Sequence, residues 1–391
     1  MRTTQQAAPS APLGRIEAID LLRGLMVALM VLDHVREYFS AAALQFEPTV
    51  MLQTTPALFA TRWVTHLCAP TFVFLSGMSV YLQRANGRVG AALRKRLLAR
   101  GMWLILLEVT LVGFAFNFAE PFIFLQVIWA IGFGMILLAL LIEAPSIAIA
   151  AVGFILLMFD YVLGAAVAPY LPKALWHMLF SPGPLARLPG VVAYPALPWA
   201  GILLLGYGLA TTIVGEGVIR RRRVLVAGAV MLVCFVILRV SGIGDPRSFG
   251  IGPTILLRAL SFFNVTKYPP TPQYVLLTLG VSALLLAALS PVGPRRLPML
   301  RAFGRAPFFT YVLHIYLIHT AALLIGMALG LPASSFAGFI ESSAPLKEAG
   351  WGFGLGWVYA IWIATLLILR PIAIWFANIK SKRSQWWLSY L

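Results

Sequence analysis

The chain has 391 residues, of which 60% are hydrophobic and only 11% are charged. A soluble domain usually carries about 25% charged residues, so this composition excludes an ordinary soluble protein and indicates a polytopic membrane protein. The formal net charge of +17 would suggest a nucleic-acid partner in a soluble protein. In a membrane protein, Lys and Arg instead mark the loops that stay in the cytoplasm. We therefore expect the lipid bilayer, and no nucleic acid, as a partner.

Runs of about 20 apolar residues between turn and charge signals predict an all-α membrane helix bundle of about ten transmembrane helices. If the N-terminus is cytoplasmic, most of the 30 basic residues fall in short cytoplasmic loops, which favours an N-in, C-in orientation. Longer loops near 40–61, 169–195, 242–272 and 331–353 then lie outside. The predicted spans lie near 17–39, 62–83, 97–117, 121–142, 146–168, 196–215, 223–241, 273–290, 307–330 and 354–377.

One membrane domain is predicted to fill nearly the whole chain. Residues 1–14 are polar and rich in Ala and Pro, which predicts a disordered cytoplasmic N-terminus. The membrane domain then covers 15–379, and 380–391 form a cytoplasmic tail. The apolar run 24–32 has the length of a signal-peptide core, but the charged residues directly after it argue against cleavage.

The stretch 15–39 carries charged groups within a run that is otherwise apolar enough to cross a bilayer. An ionised side chain at the bilayer centre costs about 2.5–3.5 kcal/mol on insertion scales, so each such group should face a partner or a wet cavity. At about 100° per residue, Asp20, Arg23 and His34 fall on one helix face. The helical rise separates Arg23 from His34 by roughly 16 Å, so this face links one leaflet to the other. The first helix is therefore a candidate for chemistry.

Two histidines are predicted to lie at a similar depth near the outer surface. His34 is close to the outer end of the first predicted span, and His66 is close to the outer end of the second. Because imidazole titrates near neutral pH, one member of such a pair can act as a general base while the other orients it. Asp33 precedes His34 and is expected to poise it. A hydrogen bond that only packs two helices together is the alternative for each histidine.

Other polar groups within the predicted spans leave alternatives open. Glu108 lies mid-span, where an acid is protonated, paired with a cation or part of a proton path, and Arg23 and Arg258 are candidate partners. His314 and His319 lie about 140° apart on a helix, which excludes an i,i+4 metal pair, and we expect no metal site. His314 is nearer the cytoplasmic end, where it could meet a cytosolic cofactor.

The basic segment around Arg94, Lys95 and Arg96 follows the second predicted span. Its charges could bind phosphates as well as set the topology. The chain contains no G-x-x-x-x-G-K-[ST], G-x-G-x-x-G, H-E-x-x-H or G-x-S-x-G motif. Nucleotide hydrolysis, a Rossmann cofactor and the common hydrolase mechanisms are therefore not expected.

Four segments carry a family resemblance: RIEAIDLLRGLMVALMVLDHVREYF, TRWVTHLCAPTFVFLSGMSVYL, RGMWLILLE and FGRAPFFTYVLHIYLIH. They resemble bacterial relatives of heparan-α-glucosaminide N-acetyltransferase. The resemblance implies a multi-pass acyltransferase of the bacterial inner membrane. Such an enzyme takes an acetyl group from cytosolic acetyl-CoA and delivers it to a glycan or small-molecule acceptor at the outer face. A homodimer is left open.

The chain also departs from the sugar-acetylating members of that family. In those enzymes an Asn matches His34, an Asp matches His66, and a catalytic His lies in the loop after the first span. Here the corresponding loop, 40–61, contains no His. We therefore expect direct transfer, in which His34, poised by Asp33 and His66, removes a proton from the acceptor as the acceptor attacks the thioester.

The cofactor is expected at the other end of the first helix. Arg23 would contact the cofactor or pair with Asp20, and the basic segment and His314 would add further contacts. Because roughly 16 Å separate the two ends, a deep cytoplasmic tunnel is predicted for the pantetheine arm. The competing hypothesis is a proton-coupled small-molecule transporter, in which the charged groups within the spans relay protons or bind substrate.

Overall fold

The computed structural model describes residues 16–119, 121–186, 188–215, 218–293 and 296–383, without the side chains of Asp160 and Ala165. The predicted disordered segment 1–14 and residues 384–391 of the predicted tail lie outside the described residues. The protein is mostly helical, with 72% helix and 4% strand. This composition confirms the predicted all-α class.

Eighteen α-helices are formed within the described residues, and a helix occupies most of each predicted span. They are α1 Glu17–Phe39, α2 Ala41–Gln45, α3 Pro56–Thr65, α4 Cys68–Ala85, α5 Gly90–Leu107, α6 Gly113–Asn117, α7 Val127–Leu141, α8 Ser146–Val167, α9 Lys173–Leu179, α10 Ala196–Gly208, α11 Ala210–Ile213, α12 Arg221–Ser241, α13 Ile255–Leu260, α14 Pro272–Leu289, α15 Pro298–Arg305, α16 Pro307–Ala328, α17 Ala344–Glu348 and α18 Leu355–Lys382.

Six helical units in the described part of the chain are long and apolar enough to cross a bilayer. They are α3–α4, α5–α6, α12, α14, α16 and α18, where each pair counts as one continuous unit. Shorter apolar helices lie at α7, α10 and the first part of α8, and α1 is rich in charge. The multi-pass membrane character is thus supported, whereas the count of about ten spans and the N-in, C-in orientation stay predictions.

The first helix is the centre of the bundle. In α1, 17 of 23 residues are buried, and the helix contacts α4, α14, α15, α16 and α18. Its closest neighbour is α15: a Cβ added to Gly24 would come within 1.8 Å of the carbonyl oxygen of Leu300, and one added to Gly304 would come equally close to that of Asp20. Small residues thus let the two backbones approach closely, as is common between membrane helices.

The second predicted span is broken rather than straight. Its residues form α3 and α4, which meet at His66 and Leu67. Pro70 lies one helical turn beyond His66 and has no backbone N–H to donate to the His66 carbonyl. The Tyr274 hydroxyl donates to this carbonyl instead, at 2.8 Å. The break therefore ties α3–α4 to α14 at the level of His66.

The fourth predicted span, 121–142, begins as a strand, so its predicted start is wrong. Strand β1 (Ile123–Leu125) pairs in parallel with β3 (Gly190–Val192), and β2 (Gly183–Pro184) pairs antiparallel with β3. The short hairpin of β4 (Val214–Gly215) and β5 (Val218–Ile219) is separate. Helix α7 begins only at Val127, because the Gln126 N–H is held at 2.6 Å by the carboxylate of Glu108.

We predict that Gly24→Ala destabilises the protein through the α1–α15 crossing. The added methyl would overlap a backbone carbonyl that cannot move independently of its helix, and overpacking of this kind costs about 1–3 kcal/mol. The melting temperature of the detergent-solubilised protein is the measurement. Gly356→Ala is the matched control, because nothing lies within 4 Å of the position of its added Cβ. Equal melting temperatures for the two variants would contradict the prediction.

Candidate active site

A cavity of about 650 Å³ runs along one face of α1 between α4, α5, α7 and α16. We call it the main cavity. At one end it is bordered by basic side chains, and farther in by apolar ones. The lining residues are Ile16, Ile19, Asp20, Arg23, Met30, Phe72, Ser76, Ser79, Val80, Leu82, Gln83, Asn86, Arg88, Arg96, Leu97, Arg100, Leu104, Val127, Ile128, Ile131, Met135, Arg305, Pro307, Phe308, Tyr311 and Lys380.

The mouth of the main cavity is strongly basic. Six of the lining residues are Lys or Arg and only one, Asp20, is acidic. Of the predicted basic segment, Arg96 lines the cavity. Arg94 does not, since its Nε donates to the Ala139 carbonyl at 3.1 Å, and Lys95 is exposed to solvent. An entrance with this excess of positive charge suits an anionic ligand such as a phosphate group.

Arg23 is held rigidly inside the mouth. It pairs with Asp20 at 3.2 Å, as the sequence suggested, and donates to the Gly304 carbonyl at 3.3 Å and to the Ser79 hydroxyl at 3.0 Å. These partners come from three helices, α1, α4 and α15. The Arg23 side chain is 18% exposed and lines the cavity wall, so its guanidinium can still contact a ligand in the cavity.

Two histidines meet next to the inner end of the main cavity. Nδ1 of His34 lies 2.6 Å from Nε2 of His314, and the rings are stacked at 4.9 Å. Tyr311, which lines the cavity, has its ring 6.4 Å from that of His34 and 5.6 Å from that of His314. Phe116 packs edge-on against His34 at 5.1 Å. The predicted cofactor contact His314 is therefore placed against the predicted base.

The hydrogen bonds of His314 determine which nitrogen of His34 carries the proton. Nδ1 of His314 lies 3.0 Å from the Thr310 carbonyl, and since a carbonyl only accepts, this nitrogen must be the donor. In a neutral His314, Nε2 is then the acceptor, so Nδ1 of His34 donates to it. Nε2 of His34 is left with its lone pair, and in the described structure it makes no hydrogen bond. Neutral His34 is therefore assigned the tautomer that a general base needs.

Unpartnered polar atoms surround the inner end of the cavity. Glu108 is fully buried and begins a short π-helical segment, Glu108–Val112. One of its oxygens accepts from Gln126, whereas Oε2 has no hydrogen-bond partner in the described part of the chain, nor has the hydroxyl of Tyr311. Neither Arg23 nor Arg258 pairs with Glu108. A buried polar atom without a partner costs about 1–3 kcal/mol. Tyr311 lines the main cavity, so its hydroxyl is available to a polar group of a bound ligand.

Asp33 joins α1 to α3 near the predicted outer surface. Its carboxylate accepts from Arg36 at 2.7 Å, from Arg62 at 3.3 Å and from the Thr65 hydroxyl at 2.7 Å. Arg62 also pairs with Glu47 at 3.2 Å. Asp33 does not hydrogen-bond His34. Any effect that Asp33 has on His34 therefore acts through its electrostatic field or through the position of α1.

His66 is buried, and its ring lies 5.9 Å from the ring of Tyr274. No hydrogen bond or ring contact joins it to His34, although both residues are described. The partner that the structure gives His34 is His314, on α16. A direct role of His66 in proton transfer thus stays a prediction without geometric support.

Lys267 lies in the loop before α14 and is buried under two tyrosines. Its Nζ is 4.8 Å from the centre of the Tyr268 ring and 5.4 Å from that of Tyr194, which is cation–π geometry. Burial, together with the neighbouring Tyr268, raises the pKa of Tyr194 well above its usual value. Tyr194 therefore stays neutral at ordinary pH and does not cancel the charge of Lys267.

The fold is that of a multi-pass membrane protein with a charged cavity, and the sequence comparison specifies the class. The family model for the catalytic region of heparan-alpha-glucosaminide N-acetyltransferase matches residues 15–242. The match covers more than half of the 391 residues, so the chain belongs to this family, as the sequence resemblance indicated. No curated protein matches the sequence. The family supports a membrane acetyltransferase, and His314, Tyr311 and Lys267 lie beyond the matched range.

Several site residues were not singled out from the sequence. Tyr311 precedes His314 by three residues, less than one helical turn, so the sequence alone could have placed both side chains on the same face of the helix. Lys267 is one of several basic residues in the loops predicted to lie outside, and nothing in the sequence marks it as buried. Within the described residues no group of three or more His, Cys, Asp or Glu side chains is arranged to hold a metal ion.

We predict that Asp33→Asn strongly destabilises the fold. Removing the carboxylate charge leaves the buried Arg36 and Arg62 with only the more exposed carboxylates of Glu37 and Glu47 as ionic partners, and breaking a buried ion pair typically costs about 3–5 kcal/mol. Thermal unfolding in detergent should show a lower midpoint for this variant. Glu143→Gln, a change at an exposed carboxylate, should leave the midpoint unchanged. A midpoint for Asp33→Asn that matches wild type would show that the buried ion pairs contribute little.

Proposed function

We propose that the protein transfers an acyl group from acetyl-CoA, bound through the main cavity, to a hydroxyl or amine acceptor that approaches from the opposite side of the membrane. One observation carries the proposal: the main cavity has a basic mouth and ends beside the hydrogen-bonded pair His34 and His314. The family membership supports the same chemistry.

The chemistry of CoA matches the successive zones of the main cavity. Its phosphates suit the basic mouth, where Arg96, Arg100 and Arg305 line the wall and can form charge-assisted hydrogen bonds. The pantetheine arm would follow the apolar stretch past Met30. The roughly 16 Å of helix between Arg23 and His34 is the distance that the arm has to bridge to bring the thioester to Tyr311.

The transfer step follows from the assigned tautomers. The acceptor oxygen or nitrogen gives its proton to Nε2 of His34 and forms a bond to the thioester carbonyl carbon. The carbon–sulfur bond then breaks, and the CoA thiolate leaves and takes up the proton. His314 holds Nδ1–H of His34 throughout and shares the positive charge that develops. The unpartnered hydroxyl of Tyr311 is placed to donate to the carbonyl oxygen, where negative charge develops.

We also propose that the mouth faces the cytoplasm, with both termini inside and about ten helices crossing the bilayer. The mouth gathers the start of α1, the end of α4, the start of α5 and the end of α18, because residues from all four regions line it. These are the basic regions that the positive-inside rule places in the cytoplasm. In this scheme acetyl-CoA enters the mouth from the cytoplasm and donates the acetyl group, and the acceptor would come from outside. The transporter alternative gains no support from the comparison or from the site.

We predict that Arg96→Ala and Arg100→Ala each weaken acetyl-CoA binding about tenfold or more, because a hydrogen bond to a charged group contributes about 1.5–3 kcal/mol. Isothermal calorimetry on the purified protein in a neutral detergent measures the dissociation constant. Lys95→Ala is the matched control from the same helix, because Lys95 does not line the cavity. Failure of wild type to bind acetyl-CoA, or equal weakening by Lys95→Ala, would reject the assigned cofactor site.

We predict that His34→Ala abolishes transfer while acetyl-CoA still binds. Loss of a positioned general base typically lowers the rate about 10²–10⁴-fold, whereas the phosphate contacts lie at the other end of the cavity. The measurement pairs calorimetry with the release of free CoA thiol in the presence of amino sugars and hexoses. His177→Ala, in the short helix α9 on the predicted outer side, serves as the control. Unchanged CoA release by His34→Ala would remove His34 from the mechanism.

A further inference from the structure

The region around Asp33 holds more buried positive than buried negative charge. Arg36, Arg62 and Lys267 are 2%, 5% and 6% exposed. Asp33 is the acid that is buried with them, its side chain 13% exposed. Glu37 pairs with Arg36 at 3.6 Å and Glu47 pairs with Arg62 at 3.2 Å, but their side chains are 38% and 55% exposed, and neither pairs with Lys267. An uncompensated buried charge is costly, and a bound anion would remove this cost.

Two of these cations keep unused donors. Nε and Nη1 of Arg36 are buried and have no hydrogen-bond partner within the described residues. Lys267 makes no ion pair or hydrogen bond there either, and only the faces of Tyr194 and Tyr268 contact its ammonium. Buried Arg and Lys side chains are normally paired. The positive charge and the unused N–H donors therefore both indicate that an anionic hydrogen-bond acceptor binds here.

The loop that carries Lys267 is fixed in place before any ligand binds. Asp245 accepts from the N–H and the hydroxyl of Thr266 at 2.7 and 3.0 Å, and from the Thr271 hydroxyl at 2.6 Å. Asn264 donates to the Thr49 carbonyl at 2.9 Å. The site is therefore preorganised, which lowers the entropic cost of binding.

This basic cluster lies next to the reacting groups rather than apart from them. Lys267 is close enough to act electrostatically on Asp33, His34 and His66. Tyr268, which covers Lys267, is 37% exposed and so separates the cluster from the surface by a single side chain. Lys267, Tyr194 and Tyr268 do not line the main cavity, so a ligand that neutralises Lys267 would occupy a different place from the cofactor.

We infer that the cluster of Arg36, Arg62 and Lys267 binds an anionic group, a carboxylate, sulfate or phosphate, on the molecule that receives the acyl group. The inference rests on the proposed function and names the class of its acceptor. The anionic group anchors the acceptor at Lys267, and its hydroxyl or amine is thereby directed to Nε2 of His34. The ring faces of Tyr194 and Tyr268 form the adjoining wall, which suits a sugar or another flat-sided molecule.

The test measures anion binding with inorganic sulfate as the probe. Wild-type protein in a neutral detergent, with CoA added to occupy the basic mouth, is melted in sulfate and in chloride at equal ionic strength. At a concentration well above the dissociation constant, sulfate should raise the melting temperature by about 2 °C or more. Lys267→Met should lose this shift, Lys267→Arg should retain it, and Lys173→Met, at an exposed lysine of α9, should behave as wild type.

The origin of the anionic group is distinguished in a second arm. The same proteins are melted in nanodiscs of phosphatidylcholine with and without phosphatidylglycerol. A shift that depends on Lys267 and appears with sulfate in detergent supports a soluble anionic acceptor, whereas one that appears only with phosphatidylglycerol supports a lipid headgroup. A wild type that responds to neither, or a Lys267→Met variant that responds as wild type does, overturns the inference.

Turnover then tests the acceptor itself. Matched pairs, glucose with glucuronic acid and glucosamine with glucosamine 6-phosphate, are compared by CoA release. The acidic member should show at least a tenfold higher kcat/KM, and Lys267→Met should remove this preference while the dissociation constant of acetyl-CoA stays unchanged. A panel in which no acidic member reacts faster than its neutral counterpart overturns the assignment. Loss of acetyl-CoA binding by wild type would instead refute the proposed function and leave the sulfate result standing.

Discussion

The structure depends on one constraint: α1 is buried at the centre of an apolar bundle although it carries ionisable groups along its length. Each of these groups needs a partner, because an isolated charge in such surroundings is prohibitively costly. Asp20 and Arg23 bind each other, and Arg23 also binds α4 and α15. Asp33 draws in α3 through Arg62, and His34 draws in α16 through His314. The polar groups of α1 thus determine which helices surround it.

The same arrangement separates two kinds of chemistry along a single helix. Near Arg23 the surroundings are basic and open into the main cavity, whereas near Asp33 they are basic but closed over by the loop of Lys267. His34 directly follows Asp33 on α1 but hydrogen-bonds His314 on α16, so a histidine rather than a carboxylate orients it. If His34 acts as a base, it would take up a proton while hydrogen-bonded to His314 and not to a buried carboxylate. The apolar wall past Met30 separates the basic mouth from the pair of His34 and His314. In the proposed function, this separation would let a long, flexible donor carry its thioester inward while its phosphates stay at the mouth.

Much of the candidate site could be anticipated because charges within apolar runs are rare enough to be conspicuous. Asp20, Arg23, Asp33 and His34 were identified on that ground, and each is found in a polar contact. The partner of His34 was predicted to be His66, because the two were expected at a similar depth, whereas His314 was expected nearer the cytoplasmic end. The structure joins His34 to His314 instead. The choice came from the break at Pro70, which turns the His66 carbonyl toward Tyr274, and from the position of α16 against α1. Of the predicted basic segment, Arg96 lines the main cavity, whereas Arg94 and Lys95 do not, because a helix distributes successive residues around its axis.

The sequence by itself determined the membrane character, the helical class, the family and the presence of charged groups along the first helix. Composition, apolar run length and charges within those runs are local properties of the chain. Tertiary structure alone decided which groups meet. The pairing of His34 with His314, the unpartnered hydroxyl of Tyr311 and the burial of Lys267 join residues far apart in the chain. Even the start of α7 at Val127 depended on a carboxylate from another helix. No periodicity or propensity encodes such contacts, since they arise only when the helices pack.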